Sequence, residues 1–247
     1  NDANITLPAP GASGSLGSNK NIIIDAKTPS VNNVSSTKPD GFYTTGEEIN
    51  ITITFSEIVY VTGTPQLTLE TGSTDYTSGN ETDTLIFTYT VASGHTSTDL
   101  DYVDENSLTG TIKDSEGLSA DLALPTPGTA GSLSHSKDIV IDTDNPTGSI
   151  TINNGDAWTT STSATLTFTA SDTTSGVDQV RFSNNGSTWF PWEDYDSPRA
   201  WALTSGDGTK TVYYEIRDNV GLIAQYTDTI DLDTTVPTGS VIINNGD

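Results

Sequence analysis

Acidic residues recur along the chain at spacings that suit metal binding. An Asp precedes a Pro by four positions at Asp25, Asp142 and Asp233. Carboxylate oxygens are the ligands that Ca²⁺ prefers, and it gathers about six to eight oxygens from side chains, carbonyls and water. Further acidic residues follow apolar runs, and we group the candidate metal ligands in two sets. One set is Asp142, Asp144, Asp172 and Asp218, and the other is Asp25, Glu57 and Asp114, with Glu116 as a possible addition.

The elements that would position these side chains are β-strands. Apolar and polar residues alternate along 49–55, 85–91 and 164–170, which is typical of strands that turn one face to a core. Shorter runs at 67–69, 108–113, 120–124, 138–142, 178–183, 189–192, 199–203, 211–217 and 222–232 are also predicted strands. Gly-containing turns separate these runs, and none of them has a helical period. The sequence therefore predicts an all-β fold.

Internal repeats divide the chain. Residues 120–133 resemble residues 3–16, and residues 139–142 resemble residues 22–25, both at an offset of 117. Residues 237–247 repeat residues 146–156 at an offset of 91. The repeats predict the C-terminal strands of a first-type repeat at 1–28, a complete first-type domain at 29–145, a complete second-type domain at 146–236 and the first strand of another second-type repeat at 237–247.

Short strands in units of about a hundred residues predict tandem Ig-like β-sandwich domains. In that topology, the loop after the second strand and the loop before the last strand meet where the chain enters the domain. The two acidic sets lie in these loops and in the Asp-to-Pro joints, so we expect Ca²⁺ at each joint. The alternative is that the same Asp residues only cap turns through hydrogen bonds to nearby backbone N–H groups.

Particular segments resemble known repeat families. Residues 54–70, TFSEIVYVTGTPQLTLE, and residues 112–117, IKDSEG, resemble Ig-like repeats of large bacterial surface proteins, with Leu118 where that pattern has Asn. Residues 171–177, SDTTSGV, and 211–219, TVYYEIRDN, resemble a second bacterial Ig-like type, from which Val220 and Leu222 depart. The resemblance implies stalks, spacers or adhesive units, because such modules serve many proteins.

Composition limits the partners of the chain. With 33 acidic and 9 basic residues, the net charge of −24 argues against nucleic acid and against an anionic membrane. A divalent cation is the natural counter-charge, although a solvated acidic surface would give the same composition. The chain has no Cys and no Met, which excludes disulfides and sulfur ligands. This Cys-free, Thr-rich composition predicts an extracellular, cell-surface location in a bacterium or archaeon. An apolar run of membrane-spanning length is also absent, so we expect no direct membrane insertion of this segment.

Catalytic chemistry is not indicated. His95 and His135 lie in Ser/Gly-rich segments without a nucleophile motif and without metal-ligand spacing, so we predict no catalytic residues and no enzyme activity. Trp192 and Tyr195 are candidates for stacking against a sugar, whereas Trp201 is more typical of a sandwich core.

These patterns predict a structural extracellular protein, a calcium-stiffened segment of a stalk, adhesin or surface filament. Its partners would be neighbouring Ig-like repeats of the same or other chains. One alternative is a carbohydrate-binding or spacer module of a secreted hydrolase, with surface glycans as partners. Another is a filament subunit that assembles by strand exchange, which would give the segments at 1–28 and 237–247 a sheet to join.

Overall fold

The fold is all-β, as the sequence predicts, in a computed structural model that describes residues 6–22 and 24–241. The first seven strands are β1 (Val31–Ser36), β2 (Gly41–Tyr43), β3 (Glu48–Leu69), β4 (Gly72–Ser78), β5 (Thr82–Thr90), β6 (Leu108–Lys113) and β7 (Ile139–Ile141). The other seven are β8 (Thr147–Ile152), β9 (Trp158–Thr159), β10 (Ser163–Ser171), β11 (Val177–Ser183), β12 (Arg199–Ala202), β13 (Gly208–Asp218) and β14 (Ile223–Leu232). The helices are single turns, α1 (Leu16–Asn19) and α2 (Leu133–Ser136), with a 3₁₀ turn at Asn153–Gly155.

Strands β1–β7 form the first sandwich, which is built around β3. The first half of β3 pairs antiparallel with β1 and β5, and its second half pairs with β6 and β4. The ladder with β6 shifts register between Thr62 and Gln66, and Gly63 between them has a φ of +76°. Such a φ is unfavourable for residues with a Cβ, so glycine allows the strand to continue through the irregularity. The strands β2 and β7 form a separate parallel pair.

Strands β8–β14 form the second sandwich. One sheet has the order β12-β10-β8 and the other has the order β11-β13-β14-β9. Along β10, Ala164, Leu166 and Phe168 are buried, which follows from the alternation of the sequence. The ring of Phe168 packs at 4.9 Å from that of Phe182 and at 5.1 Å from that of Tyr214, both on the opposite sheet.

Each sandwich has its own hydrophobic core. The core of the first sandwich takes residues between Val34 and Ile141, and that of the second takes residues between Ile150 and Ile230. The two cores therefore lie on either side of the segment 142–146, which we call the central joint. The domain limits stay predictions.

The repeated segments 6–22 and 123–139 share a capped helical turn but differ in burial. Ser15 and Ser132 cap the turns α1 and α2 by accepting a hydrogen bond from the backbone N–H three residues later. The apolar side chains around α2 are buried in the first sandwich, whereas their equivalents around α1 and after it are exposed. The exposed fractions are 85% for Leu7, 68% for Leu16, 58% for Ile22 and 87% for Ile24, against at most 3% for Leu124, Leu133, Ile139 and Ile141.

Several predicted strands differ from the structure. The runs 49–55 and 67–69 belong to the single strand β3. Residues 189–192 form no strand, and beside them only one bridge joins Val180 to Glu193. The strands predicted within 1–28 and at 237–247 fall partly on the undescribed residues 1–5, 23 and 242–247, and the described residues of both segments form no strand. In the described part of the chain, no helix is long and apolar enough to cross a membrane.

Candidate metal centre

Asp142, at the start of the central joint, contacts both sandwiches. Its backbone N–H donates to the carbonyl oxygen of Tyr43 at 2.9 Å, which extends the ladder of β2 and β7. Its carboxylate is fully buried and accepts hydrogen bonds from the backbone N–H of Asp144 on Oδ1, at 3.0 Å, and of Ser175 on Oδ2, at 3.1 Å. One residue thus connects the sheet edge of the first sandwich to a loop of the second.

Asp172 directly follows β10 and is held by its own loop. Its Oδ1 accepts from the backbone N–H groups of Thr174, Ser175 and Gly176, at distances of 2.9 to 3.1 Å. Because these bonds all fall on Oδ1, the carboxylate is oriented and Oδ2 keeps its capacity to bind another group. Ser175, whose N–H donates to both Asp142 and Asp172, was not predicted as part of the site. Its only signal in the sequence was its position in the segment SDTTSGV.

Asp218 ends β13 and carries an unpartnered oxygen. Its Oδ1 accepts from the N–H of Val220 at 3.0 Å and of Leu222 at 2.8 Å. The side chain is 1% exposed, and Oδ2 is buried without a hydrogen-bond partner. A buried polar atom without a partner is costly and is uncommon in folded proteins.

The three carboxylates come together at the central joint. One oxygen from each of Asp142, Asp172 and Asp218 lies within 4.8 Å of the other two, the only such acidic group among the described residues. Burial raises the pKa of Asp218 above its usual range. The backbone hydrogen bond from Leu222 opposes this rise, and the negative charges of Asp142 and Asp172 add to it. The arrangement supplies three hard oxygen donors in one place, and the unpartnered Oδ2 is an atom that a bound cation would satisfy.

The other predicted ligands lie elsewhere. The side chain of Asp144 is exposed and is not part of the group of three, although its backbone N–H donates to Oδ1 of Asp142. Asp25 is exposed, Asp114 is buried, and Glu57 is partly buried. Glu116 is exposed on the loop after β6. The sequence therefore identified one compact group, whereas its second set contains no acidic group of three among the described residues.

The two candidate sugar contacts make structural contacts within the second sandwich. The ring of Trp192 lies over the guanidinium groups of Arg181 and Arg217, at 4.3 Å and 4.6 Å from the ring centre. The hydroxyl of Tyr195 donates to the carbonyl of Phe168 at 3.0 Å, although the residue is 45% exposed. A role in sugar binding stays a prediction for both.

Trp201 lies in the core of the second sandwich. It is 7% exposed, and its Nε1–H donates to Oδ1 of Asn184 at 2.8 Å. The core position expected for this Trp is therefore confirmed.

Similar solved structures include fibronectin(III)-like modules, a PKD domain and a tandem repeat of an adhesion protein. The fibronectin(III)-like modules of Clostridium thermocellum CbhA match at 14% identity and a TM-score of 0.36, covering 85% of this chain and 100% of that one. The PKD1 domain of Vibrio anguillarum Epp matches at 14% identity and a TM-score of 0.29, covering 37% and 98%. A tetra-tandem repeat from the extending region of a large adhesion protein matches at 13% identity and a TM-score of 0.31, covering 84% of this chain and 50% of that one.

No protein-family model and no curated protein matches the chain. Similarity to solved structures at these TM-scores carries no functional argument, so the function has to be argued from the site. Fold and site define an all-β protein with two β-sandwich cores and an acidic cluster at the joint between them.

Proposed function

We propose that the chain is a structural segment of an extracellular surface protein, a stalk, adhesin or filament of tandem Ig-like domains whose joints are locked by Ca²⁺. The central joint would bind one Ca²⁺ through Asp142, Asp172 and Asp218. Backbone carbonyls and water would complete the coordination. The ion would neutralise three neighbouring negative charges and fix the orientation of one sandwich relative to the other.

The observation that carries this proposal is the origin of the three carboxylates. Asp142 continues from the last strand of the first sandwich, whereas Asp172 and Asp218 belong to loops of the second. A cation held by all three can be bound fully only when the two sandwiches keep their present orientation. By linkage, the cation would therefore stabilise that orientation.

The exposed apolar side chains of Leu7, Leu16, Ile22 and Ile24 support a tandem array. Their equivalents 117 residues later fill the core of the first sandwich, so the same side chains would fill the core of another first-type domain. That domain would precede residue 29 in the same chain. The second candidate function, strand exchange, follows if the domain belongs to a different chain.

The test is thermal unfolding of the chain with added Ca²⁺ and with chelator, combined with small-angle scattering of both states. We expect Ca²⁺ to raise the midpoint temperature of unfolding until the site is saturated and to narrow the range of molecular dimensions seen by scattering. Asp172→Asn should remove both effects. Asp144→Asn is the matched control, because Asp144 lies in the same joint but its side chain is outside the cluster. A midpoint that does not respond to Ca²⁺ would refute the locked joint.

Sedimentation separates the two candidate functions. Strand exchange predicts association that increases with concentration and that is lost when Ile22 and Ile24 are replaced by Ser, because both side chains are exposed and available. If the protein is a monomer at all concentrations, strand exchange is ruled out and the tandem array within a single chain is the function that stands.

A further inference from the structure

The end of the first sandwich that receives residues 25–29 repeats the backbone design of the central joint. Asp114 directly follows β6 and Asp218 is the last residue of β13, and each begins a turn with Gly three residues later. In both turns the Asp N–H donates to the carbonyl four residues on, at 3.0 Å and 3.1 Å, and the N–H of that residue returns to Oδ1, at 2.7 Å and 2.8 Å. The two loops thus hold their Asp side chains in the same way, although their sequences, KDSEGL and RDNVGL, share only Asp, Gly and Leu.

Glu57 occupies the position that Asp172 has in the second sandwich. Thr147, the residue after Pro146, pairs with Ser171, and Asp172 comes next. Ser30, the residue after Pro29, exchanges hydrogen bonds with Ser56 at 2.8 Å and 3.1 Å, and Glu57 comes next. The pairing of β1 with β3 and of β8 with β10 therefore places an acidic residue at the equivalent position of the two sandwiches, directly after the residue that contacts the end of the joint.

Asp25 has the local geometry of Asp142 but not its contacts. Its Oδ1 accepts from the N–H of Lys27 at 2.9 Å, as Oδ1 of Asp142 accepts from Asp144 at 3.0 Å. Asp142 is fully buried, whereas Asp25 is exposed and belongs to no acidic group of three among the described residues. The joint before the first sandwich is therefore built like the central one but is open.

Two carboxylate oxygens at this end are buried without a partner. Asp114 is 5% exposed, and its Oδ2 has no hydrogen-bond partner, as for Oδ2 of Asp218. Oε1 of Glu57 is also buried and unpartnered. Turn capping explains Oδ1 of Asp114 but leaves Oδ2 unexplained, because a carboxylate that only caps a turn has no need to bury its second oxygen.

We propose that Glu57 and Asp114 form half of a second divalent-cation site, which Asp25 completes when residues 25–29 adopt the path that residues 142–146 already have. The preferred ion is Ca²⁺, because all three donors are carboxylates and because Ca²⁺ accepts oxygen ligands in irregular arrangements. The proposal deepens the proposed function and rests on it for the identity of the ion. The second site binds more weakly than the first, because ordering the joint costs conformational entropy.

The test is a Ca²⁺ titration of the full chain, followed by calorimetry and by the backbone amide signals of a ¹⁵N-labelled sample. The wild type should show two classes of sites. The tighter class should shift the amide signals of Asp144 and Ser175, and the weaker class should shift those of Lys27 and Leu118. Asp218→Asn should remove only the tighter class, and Asp114→Asn should remove only the weaker one.

Further variants keep the test decisive if Asp114→Asn perturbs folding. Asp25→Asn changes an exposed residue, and it should weaken the second class at least tenfold without changing the first. Glu48→Gln is the matched control, since Glu48 is an exposed acidic residue of the same sandwich that belongs to neither set of candidate ligands, and it should leave both classes unchanged.

The outcomes separate the two proposals. If the wild type shows one class of Ca²⁺ sites and Asp218→Asn abolishes it, the second site is overturned and the site at the central joint stands. If Ca²⁺ binding is unchanged by substitution of Asp25, Asp114 or Asp218, both proposals are overturned.

Discussion

Replacing Asp218 by Asn gives opposite effects with and without Ca²⁺. The amide keeps the size of the side chain and keeps Oδ1 as the acceptor for the N–H groups of Val220 and Leu222. It removes the negative charge and places an NH₂ group where the unpartnered Oδ2 lies. That group can donate to the neighbouring carboxylates of Asp142 and Asp172, so we expect a more stable protein in chelator.

The magnitude follows from the spacing of the charges. Two unit charges separated by 4.8 Å, the span of the cluster, repel by about 3.5 kcal/mol at an effective dielectric constant of ~20 and by about 0.9 kcal/mol in bulk water. Asp172 is only partly buried, so solvent screens part of the repulsion. We therefore expect a gain of about 1–2 kcal/mol, which raises the midpoint of a domain this size by roughly 4–8 °C for each kcal/mol.

Calcium reverses the order of stability. A ligand at a hundred times its dissociation constant stabilises the native state by about 2.7 kcal/mol. The wild type receives this stabilisation, whereas the Asp218→Asn variant offers the ion only a neutral amide oxygen at this position and gains much less. The variant should thus unfold at a higher temperature than the wild type in chelator and at a lower temperature in saturating Ca²⁺.

Tryptophan fluorescence is a selective assay for this crossing. All four Trp residues lie between positions 158 and 201, within the second sandwich, so the signal reports its unfolding alone. Asp144→Asn, with its exposed side chain, should show neither the gain in chelator nor the loss in Ca²⁺. A variant that is less stable than the wild type in chelator, or that keeps the full Ca²⁺ increment, would refute the repulsion argument.

Four further predictions follow from burial, strain and charge. The pKa of Asp218 is raised in the folded chain, whereas the same carboxyl in the unfolded chain has a pKa of ~3.9. In chelator, the folded chain therefore holds a proton that the unfolded chain has lost, and the free energy of unfolding should increase as the pH falls from neutral through the raised pKa. Fluorescence melts at several pH values should show this dependence, and added Ca²⁺ should weaken it. Phe168→Ala removes a side chain that is 2% exposed and should lower the free energy of unfolding of the second sandwich by about 3–5 kcal/mol. The calorimetric transition of the first sandwich should not change. Gly110→Ala places a Cβ 2.7 Å from Cα of Pro65 at a φ of +130°, so it should lower the stability of the first sandwich by about 1–3 kcal/mol in the same experiment. Trp192→Ala removes contacts with two guanidinium groups and should cost about 1–2 kcal/mol by urea unfolding, whereas a purely glycan-binding ring would cost nothing.

The strongest sequence signals predicted the elements that carry the site. Strict alternation from Ala164 to Phe168 predicted β10 with the correct face inward, since side-chain direction in a strand has a period of two residues. Asp142, Asp172 and Asp218 were predicted as ligands because each follows such a run and because sandwich topology brings the corresponding loops to one end. The structure places these three together.

Contacts distant in sequence account for what could not be predicted. The run 189–192 has strand-like composition, but the rings of Trp189 and Trp192 pack on Arg181, so the segment follows those contacts instead of a ladder. The difference between Asp144 and Asp172 was equally inaccessible. Both are Asp residues beside a joint, and only the backbone N–H groups of residues 174–176 hold Asp172 toward the cluster.

The parallel strand pairs at the ends of both sandwiches have a consequence for a chain under tension. In the first sandwich β7 leads directly into the central joint and pairs parallel with β2, and in the second sandwich the final strand β14 pairs parallel with β9. Once β1 or β8 has been pulled from its sheet, tension on the two termini of that sandwich draws such paired strands in opposite directions along their length. The hydrogen bonds between them are then sheared together and not peeled apart one at a time, so each sandwich should resist extension through several bonds at once.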